Sequence, residues 1–256
     1  LATAEAVARV GDHGSATSLL REALPLARAT RDLDARVRCL AGLATSHAAG
    51  GDANGARDAM WEAWERTPLD APAYRRCFLH SADMHVQALV GELREAIDAG
   101  RRAETIAKEH GFEDEEVQAL LVIGECYLRL DELSRAFASL RVAYERAHER
   151  GLTRREHQSL RLLGFLDASR HGSREGRERI EKARAYAAAE GYAVDMLECD
   201  YLLGYLYARE GDRMRATGIF QQTLALATGL GNRHYAAVSE RALDALRAGE
   251  PVSLAR

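Results

Sequence analysis

"LLGYLYAREGDRMRATGIFQQTLALA", residues 202–227, decides how the rest of the chain is read. Two apolar-rich arms without proline flank Gly211-Asp212, which is a turn signal. Gly204 and Ala216 are small enough to let two helices approach closely, and Phe220 is large enough to fill the space beside them. The stretch therefore reads as a helical hairpin. A lone hairpin cannot bury its own apolar face, so the question is whether the chain repeats it.

It does, at a step of 40 residues. The position of Ala216 holds Ala16, Ala56, Ala96, Ala136 and Gly176. The position of Thr223 holds Ala23, Ala63, Ala103, Ala143 and Ala183, and that of Ala227 holds Ala27, Thr67, Ala107, Ala147 and Ala187. Alanine is 47 of 256 residues, so three positions each holding it five times in six are not a product of composition. The position of Gly204 holds Ala4, Ala44, Met84, Gly124 and Gly164, small in all but one. The position of Phe220 holds Leu20, Met60, Gly100, Leu140 and Ile180, large in all but one. Turn signals recur at Gly11-Asp12, Gly51-Asp52 and Gly91-Glu92. Six steps of 40 and 16 further residues account for the length.

Each unit reads as two helices. In the second they cover about 35–50 and 53–67, with Thr67-Pro68 ending the latter. The chain is expected to form one domain over 1–256. Its units lie at about 1–34, 35–74, 75–114, 115–154, 155–194 and 195–234, followed by a capping helix over 235–248 that Gly249-Glu250-Pro251 stops. Pro25 falls inside a helix and should kink it. Leu1 occupies the position of Tyr201, inside a first helix, which implies a fragment of a longer protein.

These residues resemble the tetratricopeptide repeat family. Leu203, Gly204, Tyr207, Ala216, Phe220 and Thr223 occupy its signature positions, as do Leu120, Ile123, Gly124, Tyr127, Ala136, Leu140 and Ala143. The unit departs from the family in length, at 40 residues against about 34. Longer units of this kind resemble the tetratricopeptide regions of bacterial signalling proteins, among them large ATP-dependent transcriptional activators and regions appended to serine/threonine kinases. The resemblance implies an all-α, right-handed superhelical solenoid of antiparallel helix pairs, about six units and a capping helix. It implies that the first helix of each pair lines a concave groove. The groove candidates are Arg38, Thr45 and His85, then Gln118, Glu125 and Arg129, then Gln158, Arg161 and Phe165, then Glu198, Tyr201, Tyr205 and Arg209, and finally Arg241. Tyr201 and Tyr205 share a helix face, Phe165 joins them, and Arg129, Arg161, Arg209 and Arg241 are expected to rim the surface. Tyrosine and arginine dominate binding hot spots, and the arginine excess points to an acidic peptide or a chain-terminal carboxylate. The alternative is that the aromatics pack between helices and the arginines pair with Glu125 and Glu198. Tyr127 and Tyr207 are expected to be structural; Trp61 and Trp64 share one second helix, one toward the core and one partly out, with core packing the default for both.

"HSADMH", residues 80–85, looks at first like chemistry. His80 takes the position of Leu40, Leu120 and Leu160, and Asp83 that of Leu43, Ile123, Leu163 and Leu203. Three residues apart on a helix, His80 and Asp83 share a face and are placed to bond each other, while His85 turns away. Two ligands do not close a zinc site. With Gly100 at a bulky position, the third unit is expected to be degenerate, a soft point in the array.

Composition bounds the function. Hydrophobic residues are 47% and charged residues 29%, as in ordinary folded chains. The net charge of −4 offers no basic field to nucleic acid or to an anionic membrane. No apolar run is long enough to span a bilayer, and no signal peptide opens the chain. Cys39, Cys77, Cys126 and Cys199 form no C-x-x-C pair and read as buried thiols of a cytoplasmic protein. There is no phosphate loop, no H-E-x-x-H and no nucleophile elbow, so no catalytic residue, cofactor or metal is assigned. The expectation is a non-enzymatic protein- or peptide-binding scaffold, the regulatory region of a larger bacterial signalling or transcription protein. Two alternatives stand beside it: a sensor whose groove takes a small effector or short peptide and changes the superhelix, and a module that self-associates as a homodimer.

Overall fold

In the computed structural model, residues 1–9, 12–30 and 32–254 are described. Gly11, half of one expected turn signal, lies outside them. The described residues form thirteen α-helices and no strand. They divide into two compact units, Leu1–Gly151 and Leu152–Arg256, and each is taken by itself.

The first unit holds four antiparallel pairs: α1 (Ala2–Arg9) with α2 (His13–Ala29), α3 (Leu33–Ala49) with α4 (Ala53–Glu65), α5 (Ala73–Val90) with α6 (Leu93–His110), and α7 (Glu113–Arg129) with α8 (Leu133–Glu149). The second holds α9 (Thr153–His171) with α10 (Arg174–Glu190), α11 (Ala193–Arg209) with α12 (Arg213–Gly229), and α13 (Arg233–Ala248). Polar caps start several helices: Asp12, Asp32, Asp52, Ser173, Asp212 and Asn232 each accept a backbone N–H three residues on. The cap at Asn232 starts α13 two residues ahead of the expected 235. Left-handed glycines end many of them, Gly51 and Gly211 included. Where the repeat lacks that glycine, Asp131 takes the left-handed backbone instead, at φ 59°. α2 continues through Pro25 to Ala29.

The 40-residue positions are the core. Ala16, Ala56, Ala96, Ala136 and Ala216 are each 0% exposed, and so are Leu140, Ile180 and Phe220. Each large side chain buried this way is worth roughly 1.5–3 kcal/mol. The small positions are small because a neighbour occupies the space. A β-carbon on Gly124 would lie 2.6 Å from Leu140 Cγ, and one on Gly164 would lie 2.5 Å from the Gly176 carbonyl oxygen.

The third pair is not loosely filled. Its two irregular residues offset each other. Met84, large at a small position, is fully buried, and a β-carbon on Gly100 would lie 2.9 Å from its sulfur. The volume has moved from one helix to the other. Trp61 is the tryptophan that faces out, further than expected, at 65% exposed on α4. Trp64 packs inward, its ring 4.7 Å from that of His80.

Candidate functional site

Two positions on the first helices organise the second unit. The outer one holds Phe165 on α9 and Tyr205 on α11. Phe165 is buried, Tyr205 is half-buried, and their rings meet at 5.9 Å and 52°. Arg209, one turn further along α11 and exposed, sets its guanidinium 5.9 Å from the Tyr205 ring centre, within cation–π reach.

The second position holds Arg161, Tyr201 and Arg241, which the structure treats differently. Tyr201 is 5% exposed, its ring against Phe220 at 5.7 Å and Tyr235 at 6.2 Å. Its hydroxyl donates to the Ser253 carbonyl at 3.1 Å. Arg241 on α13 is exposed, and no ion pair or hydrogen bond joins it to another described residue. Arg161, expected on the rim, is 6% exposed, and the reason is its position. The equivalent Ala41, Leu121 and Tyr201 are also buried, Leu1 and Ser81 are half-buried, and only Arg241 on the last helix is exposed.

Burial opposes the charge of Arg161, but Glu198 and Asp195 outweigh that and hold its guanidinium protonated well above the ordinary range. It donates to Glu198 and lies 4.0 Å from Asp195. Asp195 also accepts from Arg154 and from Gln158, each at 2.9 Å, while the Gln158 side-chain oxygen accepts from Arg155 at 3.1 Å. Gln158, Arg161 and Glu198 are thus brought together as a stitch between α9 and α11. The Glu198 side chain keeps 29% of its exposure, so removing one partner costs less than the ~3–5 kcal/mol of a fully buried pair, but these residues are tied to packing.

Between α11, α13 and the segment after α13 lies a cavity of about 500 Å³. Its walls are Tyr201 and Tyr205; Val238, Arg241, Ala242 and Ala245; and Val252, Ser253 and Leu254. The chain turns back at Gly249, at φ 76°, to bring the last three there. Val252 packs on the Tyr201–Phe220–Val238 cluster, and Leu254 packs on both that cluster and the one around Phe165. The repeat gave no reason to include Val252, Ser253 or Leu254 in the site. The only signal was local: aliphatic side chains two residues apart in an extended segment share a face.

In the first unit the candidates join neighbouring first helices. The Gln118 amide nitrogen meets His85 Nε2 at 3.2 Å, and Arg129 donates to the Ala88 carbonyl at 2.6 Å. Arg38 grips Glu5 through two nitrogens, and Thr45 bonds back to the Ala41 carbonyl. Glu125 is exposed and has no partner among the described residues. His80 and Asp83 do not bond each other. Asp83 accepts from Gln87 at 3.1 Å, and His80 Nδ1 is buried without a partner. Burial raises Asp83 and pushes His80 down to about 4, so both are driven toward their neutral forms. Burial likewise pushes the Cys77 thiol up to about 11 and those of Cys126 and Cys199 up to about 12. Among the described residues, no three metal-ligating side chains converge.

No family model and no curated protein matches the chain. Solved structures do. BtubC from P. vanneervenii superposes with a TM-score of 0.60 over 87% of this chain and 92% of its own, at 21% identity. NprR in complex with its cognate peptide NprX gives 0.60 over 83% of this chain and 63% of its own, at 15% identity. A signal transduction ATPase with a tetratricopeptide repeat sensor, from Pyrococcus horikoshii, gives 0.63 over 93% of this chain and 40% of its own, at 16% identity. The chain thus spans less than two thirds of the length of the last two. At these identities the likeness is one of fold: an all-α helical-repeat array of the tetratricopeptide type.

Proposed function

We propose that the chain is a non-enzymatic peptide-binding scaffold within a regulatory protein, and that its binding surface in the second unit is the face of α9, α11 and α13 that carries Phe165, Tyr205, Arg209 and Arg241. The observation that carries this reading is the cavity of about 500 Å³ walled by tyrosine and arginine. It joins an aromatic floor to a guanidinium without a partner among the described residues, a combination suited to a peptide with apolar side chains and a carboxylate. The remaining site candidates on α9 and α11 support that floor from below. Two of the structural neighbours fit the reading by their own descriptions, one a complex with a cognate peptide and one with a repeat sensor. The surroundings of the thiols fit it too, since burial holds them protonated and unreactive. A bacterial, cytoplasmic signalling or transcription protein is the setting we assign.

A small effector is the second reading, because 500 Å³ lies inside the range of about 300–1,000 Å³ that small-molecule sites occupy. A thermal-shift screen with synthetic acidic peptides and with small metabolites separates the two, since only a ligand of the native state raises the melting temperature. Tyr205→Ala should abolish the shift given by a peptide and leave far-ultraviolet circular dichroism unchanged. Collapse of helicity in that variant would place Tyr205 in the core and remove the assignment. A stable dimer in light scattering that blocks the peptide would establish self-association instead.

A further inference from the structure

The groove already has something seated in it. Glu250 N–H bonds to the Ala245 carbonyl as α13 ends, and the chain then runs back against α11 and α13. What holds residues 252–254 is slight. Val252 and Leu254 are only partly buried, Ser253 is exposed, and among the described residues the side-chain hydrogen bond that ties the segment down runs from Tyr201 to the Ser253 carbonyl. No backbone bond of the kind that fixes a helix or a strand joins 252–254 to another described residue. Few contacts and solvent-facing backbone mark the part of a fold that opens most easily.

The segment also fills only half of what the groove offers. Its two aliphatic side chains cover the apolar floor. Among the described residues it makes no ion pair with Arg241, its one carboxylate, Glu250, included, and the cavity beside it stays open. A ligand that reproduced the aliphatic pair and the carbonyl, and added a carboxylate, would use every feature of the site at once.

We propose that residues 250–254 are a built-in, displaceable occupant of the α9–α11–α13 groove. We propose further that the ligand displacing them is an extended peptide with aliphatic side chains two residues apart and a carboxylate that reaches Arg241. This rests on the peptide-binding reading of the same groove and names the ligand class. An occluded site lowers apparent affinity by the fraction of time it is open. A minor open form of about 1–10% therefore weakens binding about ten- to hundred-fold.

The test uses the full chain, the full chain carrying Val252→Ser and Leu254→Ser, and a chain ending at Gly249. The probes are two fluorescein-labelled, C-terminally amidated peptides of sequence 249–254, one unchanged and one with Ser253→Asp, followed by fluorescence anisotropy. The doubly substituted chain and the shortened chain should both bind the aspartate probe about ten- to hundred-fold more tightly than the full chain does. Arg241→Ala in the substituted chain should erase the preference for the aspartate probe. Equal affinity of all three chains would overturn the proposal while leaving peptide binding standing. Failure of both probes on every form would end the ligand class as well. Loss of helicity in the two opened forms would make the segment a structural part and overturn its role as an occupant.

Discussion

The small positions of the repeat predict a reversal of sign between two glycine-to-alanine changes in the same unit. Gly164 sits in α9 and Gly218 in α12, both inside helices, where alanine is favoured over glycine by about 1 kcal/mol. At Gly218 an added β-carbon meets nothing within 4 Å, so Gly218→Ala should keep the whole gain. At Gly164 the β-carbon would sit 2.5 Å from the Gly176 carbonyl oxygen and 2.9 Å from Arg179 Cβ. That is roughly 0.8 Å inside the ~3.3 Å at which C–H···O contacts settle. The blocking atom is backbone, so α10 must move as a body, which puts the cost near the top of the ~1–3 kcal/mol range for overpacking. After the propensity gain, the net loss is about 1–2 kcal/mol. For a chain of this size that is a fall of about 2–8 °C in melting temperature, against a rise of about 2–4 °C for Gly218→Ala. Gly176→Ala meets the same contact from the other side, at 2.6 Å from the Gly164 carbonyl oxygen. Once α9 and α10 have parted for one alanine, the second costs less, so the pair should be less than additive. Thermal and urea unfolding followed by circular dichroism read all four proteins. A rise in stability for Gly164→Ala equal to that for Gly218→Ala would refute close helix approach as the reason for the small positions.

Asp131 holds the left-handed turn that glycine holds elsewhere, so Asp131→Gly should stabilise by about 0.5–1 kcal/mol and Asp131→Val should destabilise; a loss on glycine substitution in urea titrations would contradict the strain. Burial, then the charges of Arg102 and Arg76, push His80 down to about 4, so the unfolded chain takes up that proton first and stability is lost as pH falls from about 6.5 toward 4. His80→Leu, the residue at Leu40, Leu120 and Leu160, should flatten that loss. Asp83 acts with the opposite sign, being raised by burial, so the measure is the difference between variant and parent; an unchanged slope would show that His80 is not the group. The four cysteines are buried, so thiol-specific labelling of the native chain should be limited by unfolding, and rapid labelling of Cys126 or Cys199 would disprove their burial.

The fold was legible because a stacked hairpin asks each position for a volume, and volume is written in residue type. Ala136 opposite Leu140, or Ala216 opposite Phe220, needs no geometry to be read once the step of 40 is known. The third pair is harder to read for the same reason. Met84 and Gly100 each break the rule for their own position, and only their contact shows that one break answers the other. The site was partly legible. Thr45, His85 and Glu125 stand where Phe165 and Tyr205 stand, and their polarity marks that face as open. Ala41 and Leu121 stand where Arg161 stands, and their apolar character already said that the face was closed, so the rim placement of Arg161 ignored a signal the repeat contained. Val252 and Leu254 are a different case. They belong to no repeat position, and their docking depends on a turn at Gly249 and on a floor assembled from α9, α11 and α13. Periodicity reports what every unit must share in order to stack. A ligand site is made where units differ, so its residues are legible only by their departure from the pattern or by lying beyond it.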